Sequence, residues 1–201
     1  MKELIKSELR LWAIKTLAPP NPHFNGLPAC PFAAQAFAKD RVDVRVGFGW
    51  QMAAVEDTAL RYPINKDVVI HAELNPTMSP SRLQHEVCRL NDALSKKNIW
   101  CIGFHPDDPE PEFVEDEDGF ENIVDEPYAM VFVQRLTELD DASRALEAQR
   151  YYTKVEVELK VALYRRRKAR EEYDHGNGTR KIKGRTRQAE SPKSIQASNG
   201  R

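Results

Sequence analysis

At 201 residues, 41% hydrophobic and 30% charged, the chain holds enough apolar material for one globular domain with a real core, and some remainder. Three widely spaced cysteines without a CxxC pair, an amphipathic charged N-terminus and the lack of any long apolar run exclude a disulfide scaffold, a secretory leader and a membrane span, so the reading is a cytoplasmic protein with no membrane partner. The formal charge of −1 hides an imbalance, because residues 1–164 carry 18 Lys/Arg against 27 Asp/Glu and residues 165–201 carry 12 against 4, or −9 beside +8.

In chain order, Ile5, Leu9 and Trp12 recur at helical spacing among charged residues, which predicts a helix over 2–17 lying on a core, ended by Pro19-Pro20-Asn21-Pro22. Pro31 and the alanines after it predict a short helix over 31–38, with Cys30 at its start. From Arg41 the period becomes two: Val42, Val44, Val46 and Phe48 share one face of a strand over 42–48. A short helix over 50–62 precedes a second strand over 67–74. Ser81 with Gln84 reads as a capping box for a helix whose apolar stripe is Leu83, Val87, Leu90 and Leu94.

The apolar run 98–105 predicts a third strand that stops where Pro106 removes a ladder N–H. Residues 107–126 hold eleven Asp/Glu among twenty and no Lys or Arg, the composition of an exposed loop. Within it Asp116, Asp118 and Gly119 match part of a calcium loop, but the first ligand position falls on Val114, which has no side-chain oxygen. Tyr128 to Leu136, apolar on both faces, predicts a fourth strand in a central position. Asp140 or Asp141 then caps a long helix from Ala142 to about Arg170, although Val155, Val157, Leu159 and Val161 alternate as a strand would. The result is an α/β domain over 1–172, a single mixed sheet of about four strands layered with helices. A long C-terminal helix and a disordered basic tail over 173–201 complete it.

Chemistry concentrates where the third strand ends, at His105-Pro106-Asp107-Asp108. One reading makes His105 a base or ligand, oriented by Asp107 or Asp108, with Cys30 supplying a thiolate favoured by a helix N-terminus. The other makes His105 a turn residue that only hydrogen-bonds its loop. Glycine patterns for phosphate or dinucleotide binding are missing, so no nucleotide cofactor is expected, and the cofactor question stays open between none and a divalent metal.

The Cys30-Pro31-Phe32-Ala33 start, the Phe104-His105-Pro106-Asp107 strand end and the stretch from Glu121-Asn122 to Pro127-Tyr128 resemble, in order and approximate spacing, the bacterial domain of unknown function 1415. The resemblance covers about residues 5–165 and brings no established activity. What it implies is a common site drawn from Cys30, His105, Asp107, Asn122 and Tyr128; the reading of the strand end adds Asp108, with Asp108, Asn122 and Tyr128 as binding residues. Two functions are therefore expected in competition. The first is a small-molecule site, enzyme-like, using thiol, acid–base or metal-dependent chemistry. The second is an interaction module whose tail, through Arg165-Arg166-Arg167-Lys168 and the cations of 180–187, meets nucleic acid or an acidic protein in a salt-dependent way.

Overall fold

The structure, a computed structural model, describes residues 1–49, 52–108, 126–154 and 157–188. Among these residues it forms six α-helices and one mixed sheet of four strands, an α/β layer fold. The helices are α1 Lys2–Trp12, α2 Ala33–Ala38, α3 Met52–Leu60, α4 Pro80–Leu94, α5 Leu136–Glu147 and α6 Val157–Gln188. The strands are β1 Val42–Gly47, β2 Val68–Glu73, β3 Ile99–Phe104 and β4 Ala129–Arg135, in the order β1-β2-β4-β3. β1 and β2 are parallel, and β4 runs antiparallel to both β2 and β3. The antiparallel β4 thus fills the gap left when the chain crosses from β2 through α4 to β3.

The period-two pattern works as the sequence implies. Val42, Val44, Val68, Ile70, Ala72 and Met130 face Ile5 and Leu9 of α1, while Val69, Val131, Val133, Ile99 and Cys101 face Val55 of α3 and Leu83, Val87, Leu90 and Leu94 of α4. Both faces of β4 are therefore covered. Each fully buried Leu or Val in these layers stabilises the fold by roughly 1.5–3 kcal/mol. Gly103 marks the tightest approach of α4 to the sheet, since a Cβ there would lie 3.1 Å from Val87 Cγ2 and 3.4 Å from Leu83 Cγ.

Several boundaries differ from the sequence reading, each for a physical reason. Ser79, not Ser81, caps α4 by accepting the Arg82 N–H at 3.4 Å, with Pro80 in the first turn, and Gln84 is instead drawn to the Gly103 carbonyl at 3.3 Å. Phe48 leaves the strand and is 64% exposed. The helix 2–17 ends as a π-helical turn over Ala13–Leu17. The expected single helix 142–170 is two helices. α5 starts at Leu136, directly after β4, because Asn98 accepts the Thr137 N–H at 2.9 Å through its side chain and the Leu136 N–H at 3.0 Å through its carbonyl. It stops where Arg150 adopts φ 62° and the Tyr151 N–H returns to the Leu146 carbonyl. The last helix runs past Arg170 to Gln188. No described helix is long and apolar enough to cross a membrane.

The two sheet edges are protected differently. Asp43 and Arg45 put charges along β1. On β3 the protection comes from α4, whose Asn91 donates to the Cys101 carbonyl at 2.9 Å and accepts the Cys101 N–H at 2.7 Å.

Candidate functional site

β1, β2 and β3 all point their C-terminal ends to one edge of the sheet, the place where α/β folds gather polar residues. His105 stands there, directly after β3, with 2% of its surface exposed. Its Nδ1 accepts the Asp107 N–H at 3.0 Å, so the ring proton sits on Nε2, which donates to the Met78 carbonyl at 3.0 Å. Both ring nitrogens are thereby used. Asp107 does approach the imidazole, with Oδ2 3.8 Å from Nδ1, but its own side chain is 79% exposed. Asp108 closes the turn through its N–H to the His105 carbonyl at 3.0 Å. Burial pushes its carboxyl above the usual range against the pull of His105 and Gln84.

Tyr128 lies at the same edge, at the entry to β4, and hydrogen-bonds Glu8 of α1. Its phenol is pushed up to about 12 by burial first and by that carboxylate second. Asn122 and the calcium-like stretch lie within 109–125, which fall outside the described residues.

Cys30 sits elsewhere, in the loop before α2, with its N–H on the Leu17 carbonyl at 2.9 Å. Its neighbours are Ala29, whose carbonyl accepts the Tyr151 hydroxyl, and Tyr151 itself, stacked on Phe24. Among the described residues it shares no partner with His105. Backbone N–H groups of Phe32 and Ala33 do pull the thiol down, but burial outweighs them and the net shift is upward. The expected low-pKa thiolate is corrected on that ground, since α2 is only six residues long and offers too little helix dipole to offset desolvation. Cys101 is buried and pushed to about 12, and Cys88 is exposed on α4.

Two buried polar clusters carry no motif and escaped the sequence reading. Glu73, 2% exposed at the end of β2, accepts the Gly49 N–H at 2.5 Å and the Asn75 N–H at 3.3 Å, fastening the loop after β1. Beneath α3, the Thr58 hydroxyl donates to the Ala54 carbonyl at 2.8 Å and accepts Arg45 Nη1 at 2.5 Å, with His71 Nε2 at 2.9 Å. Burial, helped by Arg45, lowers His71 to about 4. Unfolding restores the ordinary value, so the unfolded chain binds the extra proton between pH 6.5 and 4. The His71 contribution is therefore complete above pH 6.5 and lost as pH falls. Between pH 7.5 and 5 urea denaturation should show a loss of about 1–2 kcal/mol that His71→Gln removes. An unchanged pH slope in the variant would assign the loss to other groups.

α6 is the other assembly of charge. Over its 32 residues it extends about 48 Å. Arg167 grips Glu147 with both Nη atoms, at 3.1 and 2.6 Å, and Arg170 reaches the Thr137 carbonyl at 2.9 Å, Asp141 at 3.2 Å and Asp174 at 2.7 Å. Arg166 is folded in, its side chain 11% exposed and its Nε 4.0 Å from Asp140 Oδ1. Those three cations dock the helix on α5. Arg165 and Lys168 face solvent, and Arg180, Lys181, Lys183, Arg185 and Arg187 follow with no acidic residue between Asp174 and Glu190.

Fold and charge thus define a mixed α/β body with a docked basic helix. No three His, Cys, Asp or Glu side chains among the described residues are arranged to hold a metal ion. Compared with known proteins, the chain matches no family model, and no curated protein or solved structure is significantly similar to it.

Proposed function

We propose that this protein is an interaction module in which the α/β body holds α6, and the C-terminal half of α6 binds polyanions, with nucleic acid as the partner class. The observation that carries this reading is the division of labour within one helix. Arg167 and Arg170 are spent on Glu147 and Asp141, Arg166 is folded in beside Asp140, and the five Lys/Arg of 180–187 follow a helical dock with no acidic side chain among them. Such a stretch neutralises phosphates without reading bases, and it lacks the aromatic residues that stack on them. Gly176, Gly178 and Gly184 each cost about 1 kcal/mol relative to Ala, so a bound polyanion would firm up this half of the helix. No observation favours thiol chemistry by Cys30 with His105, since the imidazole nitrogens are engaged and the thiol is pushed up.

The test is fluorescence anisotropy on labelled duplex and single-stranded oligonucleotides. Five phosphate contacts give a slope of about −4 for the logarithm of the association constant against the logarithm of salt concentration. Truncation after Asp174 should abolish binding and leave the melting temperature unchanged. Binding that survives truncation, or is insensitive to salt, overturns the proposal. A melting temperature lowered by several degrees does so too, because it assigns the basic stretch to the acidic body instead.

A further inference from the structure

α4, the free edge of β3 and the first half of α6 enclose a groove of about 680 Å³, within the range that holds a drug-sized molecule. Its apolar lining includes Val87, Leu163 and Leu159, the last of them 42% exposed. Its cations are Lys96, Arg165, Arg166 and Lys168 against only Asp92 and Glu172, a balance of four to two. Arg166 is the one folded into the wall. It touches Tyr152, but its Nη2 and Nε are buried with no hydrogen-bond partner. The nearest carboxylate, Asp140, receives Arg144 at 2.9 Å through Oδ2 and turns Oδ1 toward Arg166 Nε at 4.0 Å, which leaves Nη2 as the donor with no counterpart. A guanidinium left with donors unused beside an apolar wall is an anion site in search of its acceptor.

We propose that this groove binds a small amphipathic organic anion, an aliphatic or aromatic carboxylate whose apolar body lies on Val87, Leu159 and Leu163 and whose head group takes the unused Nη2 N–H groups of Arg166. Lys96 and Lys168 steer the anion to the mouth. The site is independent of polyanion binding, which uses cations beyond Asp174.

Cys88 gives a direct readout, since it lines the groove and is exposed, whereas Cys30 lies outside it. Full-length protein is alkylated with iodoacetamide, a neutral reagent, and the rate at each cysteine is followed by mass spectrometry with and without decanoate below its micellar concentration. The expected result is at least fivefold slowing at Cys88 and none at Cys30, with decanol and inorganic phosphate each much weaker than decanoate. Arg166→Met, which keeps the stem and removes the charge, should weaken the decanoate effect about tenfold. Equal protection by decanol and decanoate overturns the proposal, as does no protection at all. So does protection that rises with protein concentration in the absence of any probe, which would assign the groove to a second copy of the chain. If Arg166→Met fails to fold, the decanoate-to-decanol comparison on the unaltered protein still decides.

Discussion

Asn91→Ala should cost about 3 kcal/mol of folding stability and lower the melting midpoint by on the order of 10 °C. Asn91 is 7% exposed and makes two hydrogen bonds to one residue, Cys101, whose own surface is 1% exposed. Truncating it leaves the N–H and the C=O of an edge strand without partners, each costing about 1–3 kcal/mol when buried. Asn91→Asp separates the two halves of the interaction. Its carboxylate still accepts the Cys101 N–H, but it faces the Cys101 carbonyl with like polarity, so it should fare little better than Ala. Denaturant titration of the three proteins checks this. A loss under about 1 kcal/mol for Asn91→Ala would mean that water in the adjoining groove replaces the amide.

His105→Ala should be destabilising by about 2–4 kcal/mol, yet leave the alkylation rate of Cys30 unchanged. The ring fills a buried space and joins two chain segments, Met78 before α4 and Asp107 after β3, through its two nitrogens. Removing it opens a cavity and orphans the Met78 carbonyl and the Asp107 N–H. His105→Gln, able to serve one partner at a time, should recover part of the loss. The thiol measurement separates a structural imidazole from a catalytic one. If Cys30 slowed in His105→Ala while Cys88 kept its rate, a functional link between thiol and imidazole would stand.

Much of the architecture follows from local patterns that the sequence displays outright. Val42, Val44 and Val46 against Asp43 and Arg45 need one buried and one wet face, and Leu83, Val87, Leu90 and Leu94 need a helix against a sheet. Those patterns give the α/β class and all four strands. They also give the central place of β4, whose Met130 and Val131 are both fully buried on opposite faces. The charge division at residue 165 and the polar cluster after β3 are equally plain, because charge and residue type survive without any knowledge of neighbours.

What tertiary structure decided is who partners whom across long separations. The cap of α5 is Asn98, 39 residues away from Thr137, so a search for a local Asp placed the helix start at 140 or 141 instead. The break between α5 and α6 carries no Gly or Pro. It exists because Tyr151 gains a stacked place on Phe24, 4.6 Å between ring centroids, and a hydrogen bond to Ala29, a gain that offsets the left-handed Arg150. The Cys30 thiol looked activated from its place before a helix, but only packing sets the balance between backbone N–H groups and desolvation, and desolvation wins. His105 stayed open between chemistry and a turn because sequence spacing cannot register the Met78 carbonyl 27 residues upstream that takes its second nitrogen. Local periodicity is encoded residue by residue, whereas burial and hydrogen-bond partnership depend on elements that meet only after the chain has folded.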